Sequence, residues 1–293
     1  MLSTQYQSFL FISLLLAIVI ALFFPLNSNM PSLAAVRASN AAFSPSNPPV
    51  ALFVGGTSGI GQAMAEAFAR YTKGNAHIVI IGRNRASAES IIANLPKPTV
   101  PDITHEFVQC DVALMKNVQA VTTELLTRIP KINFLVMSPG MMTLKGREET
   151  EEGVDKKLAV HYYARWKFTK DLMPALLKAK DAGEDAKVFS VLAAGKGREI
   201  DLDDLGLKKK YSISAAALVA PTYNDLMMEV HLNDPFSSFT SITSLFSLIR
   251  NSPHSTRTLH SPMPPPALSV PHTPQTLWFS RRCTHSCMAY CIQ

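Results

Sequence analysis

Gly55, Gly59 and Gly61 directly follow the apolar segment Val50–Val54 and open a stretch with helical spacing, residues 60–71, in which Ala63, Ala67 and Phe68 share one face. A G-x-x-x-G-x-G run between a strand and a helix suits phosphate binding. A side chain there would hold a diphosphate away from the backbone, while the helix N-terminus offers unpaired N–H groups and a partial positive charge. Thr57 and Ser58 add hydroxyl donors to the same loop, and Ile60 sits between its last two glycines. The plain alternative is a tight strand-to-helix turn with no ligand. Cys283, Cys287 and Cys291, with His285 among them, have the spacing that puts thiolates on one helix face, as metal binding needs. No second ligand pair stands near them, so no metal is expected.

The elements that must position the glycine loop show in the apolar pattern. Short, continuous, β-branched runs recur at 50–54, 77–81, 106–110, 133–137 and 187–191, and helical spacing fills the intervals at 60–71, 86–95, 114–129 and 154–178. Strands of this kind are expected where helices cover both faces of a sheet. The alternation predicts an α/β fold: a three-layer, doubly wound parallel sheet of the Rossmann type with right-handed crossovers.

A chain of 293 residues, 47% hydrophobic and 17% charged, is long enough for one large domain of this class. Its net charge of +6 is scattered rather than gathered into a Lys/Arg stripe, so nucleic acid is not expected as a partner. Cys110 stands alone in the domain, implying no disulfide framework and suiting a reducing, cytoplasmic setting. Residues 9–24 are apolar except for Ser13 and would rise about 24 Å as a helix, slightly short of a hydrocarbon core. Three readings of residues 1–29 stay open: an anchor or uncleaved signal associating the protein with the ER membrane, a cleaved signal, or a gene-model extension ahead of a start at Met30. Residues 30–49 read as a linker and 50–230 as the working domain. From about residue 231 the composition changes. No glycine follows Gly206, and residues 251–293 hold seven prolines and no acidic side chain. Such a tail is expected to be largely irregular.

Over roughly residues 50–229 the chain resembles the short-chain dehydrogenase/reductase family. The resemblance rests on the glycine spacing and implies that Gly55, Thr57, Ser58, Gly59, Ile60 and Gly61 bind NAD(P). At the end of the second strand, Gly82-Arg83-Asn84-Arg85 stands where NAD-preferring members carry an acid for the ribose 2′-OH. A guanidinium suits a 2′-phosphate instead, so NADP is expected over NAD, with Arg83 and Asn84 among the cofactor residues. Asp111 and Val112 match the family's Asp-Val at the adenine, and Asp111 is also placed to cap the helix that follows. Met137-Ser138-Pro139-Gly140 replaces the family's Asn-Asn-Ala-Gly and keeps Gly140, where the backbone passes under the nicotinamide ribose.

The family's catalytic serine corresponds to Ser190 at the end of the fifth strand, which would orient a substrate carbonyl or hydroxyl. Its proton donor corresponds to Tyr211, and His161 stands where an asparagine is expected. Tyr211-Ser212-Ile213-Ser214-Ala215 departs from Tyr-x-x-x-Lys at its last position, and Ala215 cannot bring the charge that eases phenol ionisation. Tyr163 and Lys167 have the Tyr/Lys spacing but precede Ser190, against the family order. Tyr223 is a weaker alternative acid, and Lys208, Lys209 and Lys210 are a substitute source of charge. Residues 239–242 resemble a remnant of the family's sixth strand without the Pro-Gly that should follow, so the sheet is expected to be incomplete at its C-terminal edge. Beside a membrane-tethered structural role that rests only on residues 9–24, two functions stand. One is an NADP-preferring oxidoreductase moving hydride between the nicotinamide and a small-molecule carbonyl/alcohol substrate. The other is a non-catalytic dinucleotide-binding relative lacking the active-site lysine.

Overall fold

Alternate residues of the first strand serve two separate apolar layers, which makes the sheet the middle of three. The structure, a computed structural model, describes residues 32–193, 196–233 and 240–241. In β1 (Val50–Val54), Leu52 and Val54 enter one layer while Ala51 and Phe53 enter the other. The alternation repeats in β2 (His77–Gly82), with Val79 and Ile81 against Ile78 and Ile80. It repeats again in β4 (Phe134–Met137), with Leu135 and Met137 against Phe134 and Val136. A strand buried on both faces must be apolar throughout, which is why these segments read as unbroken runs. β3 (His105–Gln109), β5 (Lys187–Ser190) and the two-residue β6 (Thr240–Ser241) complete a parallel sheet in the order β3-β2-β1-β4-β5-β6. The β6 pairing, Thr240 beside Lys187 and Ser241 beside Val188, falls within the expected remnant strand.

One face of the sheet is covered by α2 (Gly59–Tyr71) and α3 (Arg85–Asn94), through Met64, Ala65, Ala69, Ala88 and Ile91. The other is covered by α4 (Met115–Arg128), through Val118 and Leu125, and by α6 (Ala164–Asp181), through Phe168 and Leu172. Each such large side chain withdrawn from water contributes about 1.5–3 kcal/mol. α6 continues the short α5 (Lys156–Leu158) through a π-helical turn, Ala159–Tyr163. α7 (Ile213–Asn233) joins that layer through Met227 and Met228. Strand bounds match the sequence reading to within one residue. The stretch expected as linker instead contains α1 (Leu33–Ala41), started by Ser32, whose hydroxyl accepts from the Ala35 N–H at 3.2 Å. Residues 9–24 and the C-terminal cysteines lie outside the described residues. Among the described residues no helix is long and apolar enough to cross a membrane.

Helix α4 is started from a distance. Its N-cap, Leu114, brings no side-chain acceptor, and the Glu152 carboxylate takes the N–H groups of Met115 at 2.7 Å and Lys116 at 2.8 Å. Asp111, expected to cap this helix, accepts from the Ala113 N–H at 3.0 Å before the helix begins. Glu152→Ala is therefore expected to lower unfolding free energy by about 1 kcal/mol, seen as a lower denaturant midpoint at unchanged slope. An unmoved midpoint would show that the cap adds nothing.

Candidate active site

From β1 the chain steps outward to β2 and β3, and from β4 it steps the other way to β5, so two neighbouring strands lead away from each other. Ligands of open parallel sheets settle beyond the carboxyl ends of such a pair. The glycine loop leaves β1 there with Gly55 at φ +82°, and a Cβ on Gly55 would lie 2.7 Å from the Pro139 nitrogen. A Cβ on Gly61 would lie 2.2 Å from Ser138 Oγ and 2.4 Å from the Gly55 carbonyl oxygen. Gly59, at φ +58°, has nothing within 4 Å of where a Cβ would stand, so this side of the loop is open. Ser58 takes the N-cap of α2 without a side-chain cap, leaving the first N–H groups to the crevice. Thr57 ties the loop to α3, its carbonyl accepting from Ser87 Oγ at 2.7 Å, and Ile60 is exposed at the mouth. A cradle with bare backbone, an open face and a free helix N-terminus fits a dinucleotide diphosphate.

Flanking residues divide into free and engaged groups. Arg83 is exposed just past β2 and forms no ion pair among the described residues. Arg85 is engaged, pairing with Glu89 at 3.5 Å and lying 5.0 Å over the Phe107 ring. Asn84 caps α3, its side chain accepting from the Ser87 N–H at 3.1 Å. Asp111 is half-buried and Val112 is buried, both beyond the end of β3. Gly140 is exposed beyond β4, with His161 Nε2 3.9 Å from where its Cβ would be.

Ser190 and His161 belong to one hydrogen-bonded network, and Tyr211 stands apart from it. Ser190 Oγ accepts from Arg165 Nη1 at 2.7 Å and donates to Asn224 Oδ1 at 2.9 Å. The Asn224 amide is oriented by the carbonyls of His161 and Ala220, both accepting from its Nδ2 at 2.8 Å. A hydroxyl has one proton and two lone pairs, so Ser190 keeps one lone pair and no free proton. Tyr211 lies two residues ahead of α7, because Ser212 Oγ accepts from the Ala215 N–H at 2.9 Å and starts the helix there. The Lys157 ammonium stands 5.5 Å from the Tyr211 ring centroid, and the Tyr211 hydroxyl is buried without a hydrogen-bond partner among the described residues. Tyr223 donates to the Leu205 carbonyl at 2.9 Å, and Lys167 pairs with Asp171 at 2.9 Å. The backbone N–H groups of Lys208, Lys209 and Lys210 wrap the Asp204 carboxylate, and the Lys210 side chain pairs with Asp201.

Arg165, Lys157 and Asn224 are residues that sequence reasoning passed over. The visible signal was three basic residues at four-residue spacing, 157, 161 and 165, on a helix otherwise apolar toward the core. Burial and the neighbouring Arg165 charge push the His161 imidazole down to about 4. Its Nε2 accepts from the Met141 N–H at 3.0 Å, which requires the neutral ring. The unfolded chain, at an ordinary 6.5, takes the proton first as pH falls. Stability from His161 is therefore complete above about pH 6.5 and is lost as pH drops toward 4. Unfolding of the wild type and of His161→Gln across that range should show a stability gap that narrows as pH falls; a pH-independent gap would contradict a neutral His161.

Comparison with known proteins agrees with this geometry. The short chain dehydrogenase family model matches residues 49–198, slightly more than half of the chain. The Oxidoreductase AN1596 of Emericella nidulans is 39% identical over 200 residues, covering 68% of this chain and 58% of that protein. The Oxidoreductase andH of Emericella variicolor is 36% identical over 214 residues, covering 73% and 61%. The chain thus spans less than two thirds of the length of either relative. A crystal structure of an uncharacterized protein from Mycobacterium paratuberculosis shares the fold, with a TM-score of 0.54 at 16% identity over 68% of both chains. With its parallel sheet, its glycine loop at the crevice and this match, the chain belongs to the short-chain dehydrogenase family of NAD(P)-binding oxidoreductases.

Proposed function

We propose that the chain binds NADP(H) in preference to NAD(H) and serves hydride transfer between the nicotinamide and the carbon of a small-molecule alcohol or carbonyl. Arg83 carries this reading: a guanidinium without an ion-pair partner among the described residues, exposed beside the glycine loop, meets a 2′-phosphate with paired charge-assisted donors. Gly55, Gly59, Gly61 and the N-terminus of α2 hold the diphosphate, with Thr57, Ser58 and Ile60 around it. Asn84 steadies the turn that carries Arg83, Asp111 and Val112 adjoin the adenine, and Gly140 adjoins the nicotinamide ribose. When bound, the cofactor supplies or receives the hydride. Ser190, its proton given to Asn224, offers a lone pair and so orients a substrate hydroxyl. Tyr211 exchanges the proton at its phenolic oxygen, and His161 shapes the floor by holding the Met141 N–H.

A second reading, a dinucleotide-binding relative without catalysis, is favoured by Ala215. It is buried in an apolar cluster with Leu158, Leu207 and Val219, where a charged side chain would usually stand in this family. Fluorescence titration of the full chain distinguishes these readings. NADPH is expected to bind about tenfold more tightly than NADH, and Arg83→Ala to bring the ratio toward one. Equal affinities in the wild type would remove the NADP preference, and no binding would remove the dinucleotide reading. In a screen of alcohols with NADP, Tyr211→Phe should lower kcat by about 100-fold or more. A wild type that binds but turns nothing over would leave the non-catalytic reading standing.

A further inference from the structure

The chain that leaves β4 is held along its length by one helix face. Lys157, His161 and Arg165 follow at four-residue spacing through the π-helical turn, and each grips a successive piece of that chain. Arg165 donates to the carbonyls of Met137 at 3.0 Å and Pro139 at 2.6 Å. His161 accepts from the Met141 N–H at 3.0 Å, and Lys157 donates to the carbonyls of Lys145 and Gly146 at 2.9 Å each.

Arg165 is the rung with the greatest demand. Its side chain is 1% exposed, and its guanidinium has no carboxylate partner among the described residues. Withdrawing such a charge from water costs several kcal/mol unless its donors are satisfied, so the carbonyls of Met137 and Pro139 cannot turn away without stranding it. In a trans peptide the C=O and the following N–H point in opposite directions. Holding the Pro139 carbonyl on Arg165 therefore turns the Gly140 N–H away from the buried helix, toward the open side on which Gly140 is exposed. That N–H makes no hydrogen bond within the described residues. The position is set opposite the glycine loop, since Gly55 already abuts Pro139.

We propose that Arg165 is a positioning residue for the nicotinamide half of the cofactor: by fixing the Met137–Gly140 backbone from beneath, it presents the Gly140 N–H as a donor to that half. The inference rests on the dinucleotide reading above. It assigns no proton transfer to Arg165, only the shape of the floor.

The test compares two ligands on the full chain: NADPH, and adenosine 2′,5′-bisphosphate, which reaches the Arg83 side but lacks the nicotinamide. Arg165→Met is expected to weaken NADPH by about tenfold and leave the bisphosphate nearly unchanged. Backbone hydrogen exchange should rise around residues 137–146 without rising across the sheet. Arg165→Lys keeps the charge without the planar fork and should show the same split to a smaller degree, so it decides the matter if the methionine variant does not fold. Equal weakening of both ligands, or no weakening of either, would overturn the inference alone. Unfolding of both variants would also overturn it, because Arg165 would then support the fold rather than the subsite. A wild type that binds neither ligand would instead overturn the dinucleotide reading on which it stands.

Discussion

Helix α2 comes so close to the ends of β1 and β4 that no side chain fits between them, and the crevice owes its form to this contact. At Gly61 an added carbon would overlap Ser138 Oγ and the Gly55 carbonyl, and at Gly55 it would overlap Pro139. The squeeze brings two loops from neighbouring strands into contact, so a ligand seated on the N-terminus of α2 also meets the Pro139-Gly140 segment. It also requires a small residue at 138. Ser138 meets the requirement and turns its hydroxyl toward the carbonyls of Val54 and Gly55, each at 3.4 Å. Local sequence, close packing and ligand geometry are one constraint at this place.

The opposite end of the sheet has a different chemistry. There Asn133 accepts from the Val50 N–H at 2.9 Å and donates to Glu184 and to the Asp185 carbonyl, tying β1, β4 and the start of β5 together. Lys131 bonds Glu184 at 2.5 Å and, with Asn133, holds its carboxyl below the ordinary range. Those groups saturate one another. At the carboxyl ends of the strands, by contrast, Arg83, the Gly140 N–H and the first N–H groups of α2 have no partner among the described residues. A fold that satisfies polar groups at one end and leaves a set of them free at the other is organised to bind there.

What the sequence made legible follows from range. The strands and the glycine loop depend on residues adjacent in the chain, and apolar runs with a fixed spacing reveal them. Contacts across the chain left no such trace. Arg165 reaches Ser190, and Ser190 reaches Asn224, through pairings that no local pattern encodes, and two of Arg165's three acceptors are backbone carbonyls that every residue possesses. The cap of α4 is such a contact: Asp111 has the right type and place for it, but Glu152 arrives from another loop and takes the role. Tyr211 has the spacing of one helix face with residue 215, but Ser212, immediately before the helix, caps it and leaves Tyr211 outside.

The polar groups of the site bear on what chemistry remains open to it. Ser190 has already given its proton to Asn224, and reversing that bond would leave a buried amide oxygen unpaired, at about 1–3 kcal/mol. The Asn224 amide cannot simply flip, because its NH2 faces two carbonyls that only a donor can satisfy. His161 is held neutral by burial and occupied by Met141, and Tyr223 is bound to Leu205. Of the three family-matched positions Ser190, His161 and Tyr211, only Tyr211 has a buried side-chain polar atom with no partner within the described residues, and it stands beside a lysine that the resemblance did not suggest. On the proposed reading, binding draws on many mutually supporting contacts, whereas proton transfer hangs on one phenol. Divergence at a single residue would therefore remove turnover while leaving the dinucleotide cradle whole, which is why affinity and turnover must be read as separate properties of this chain.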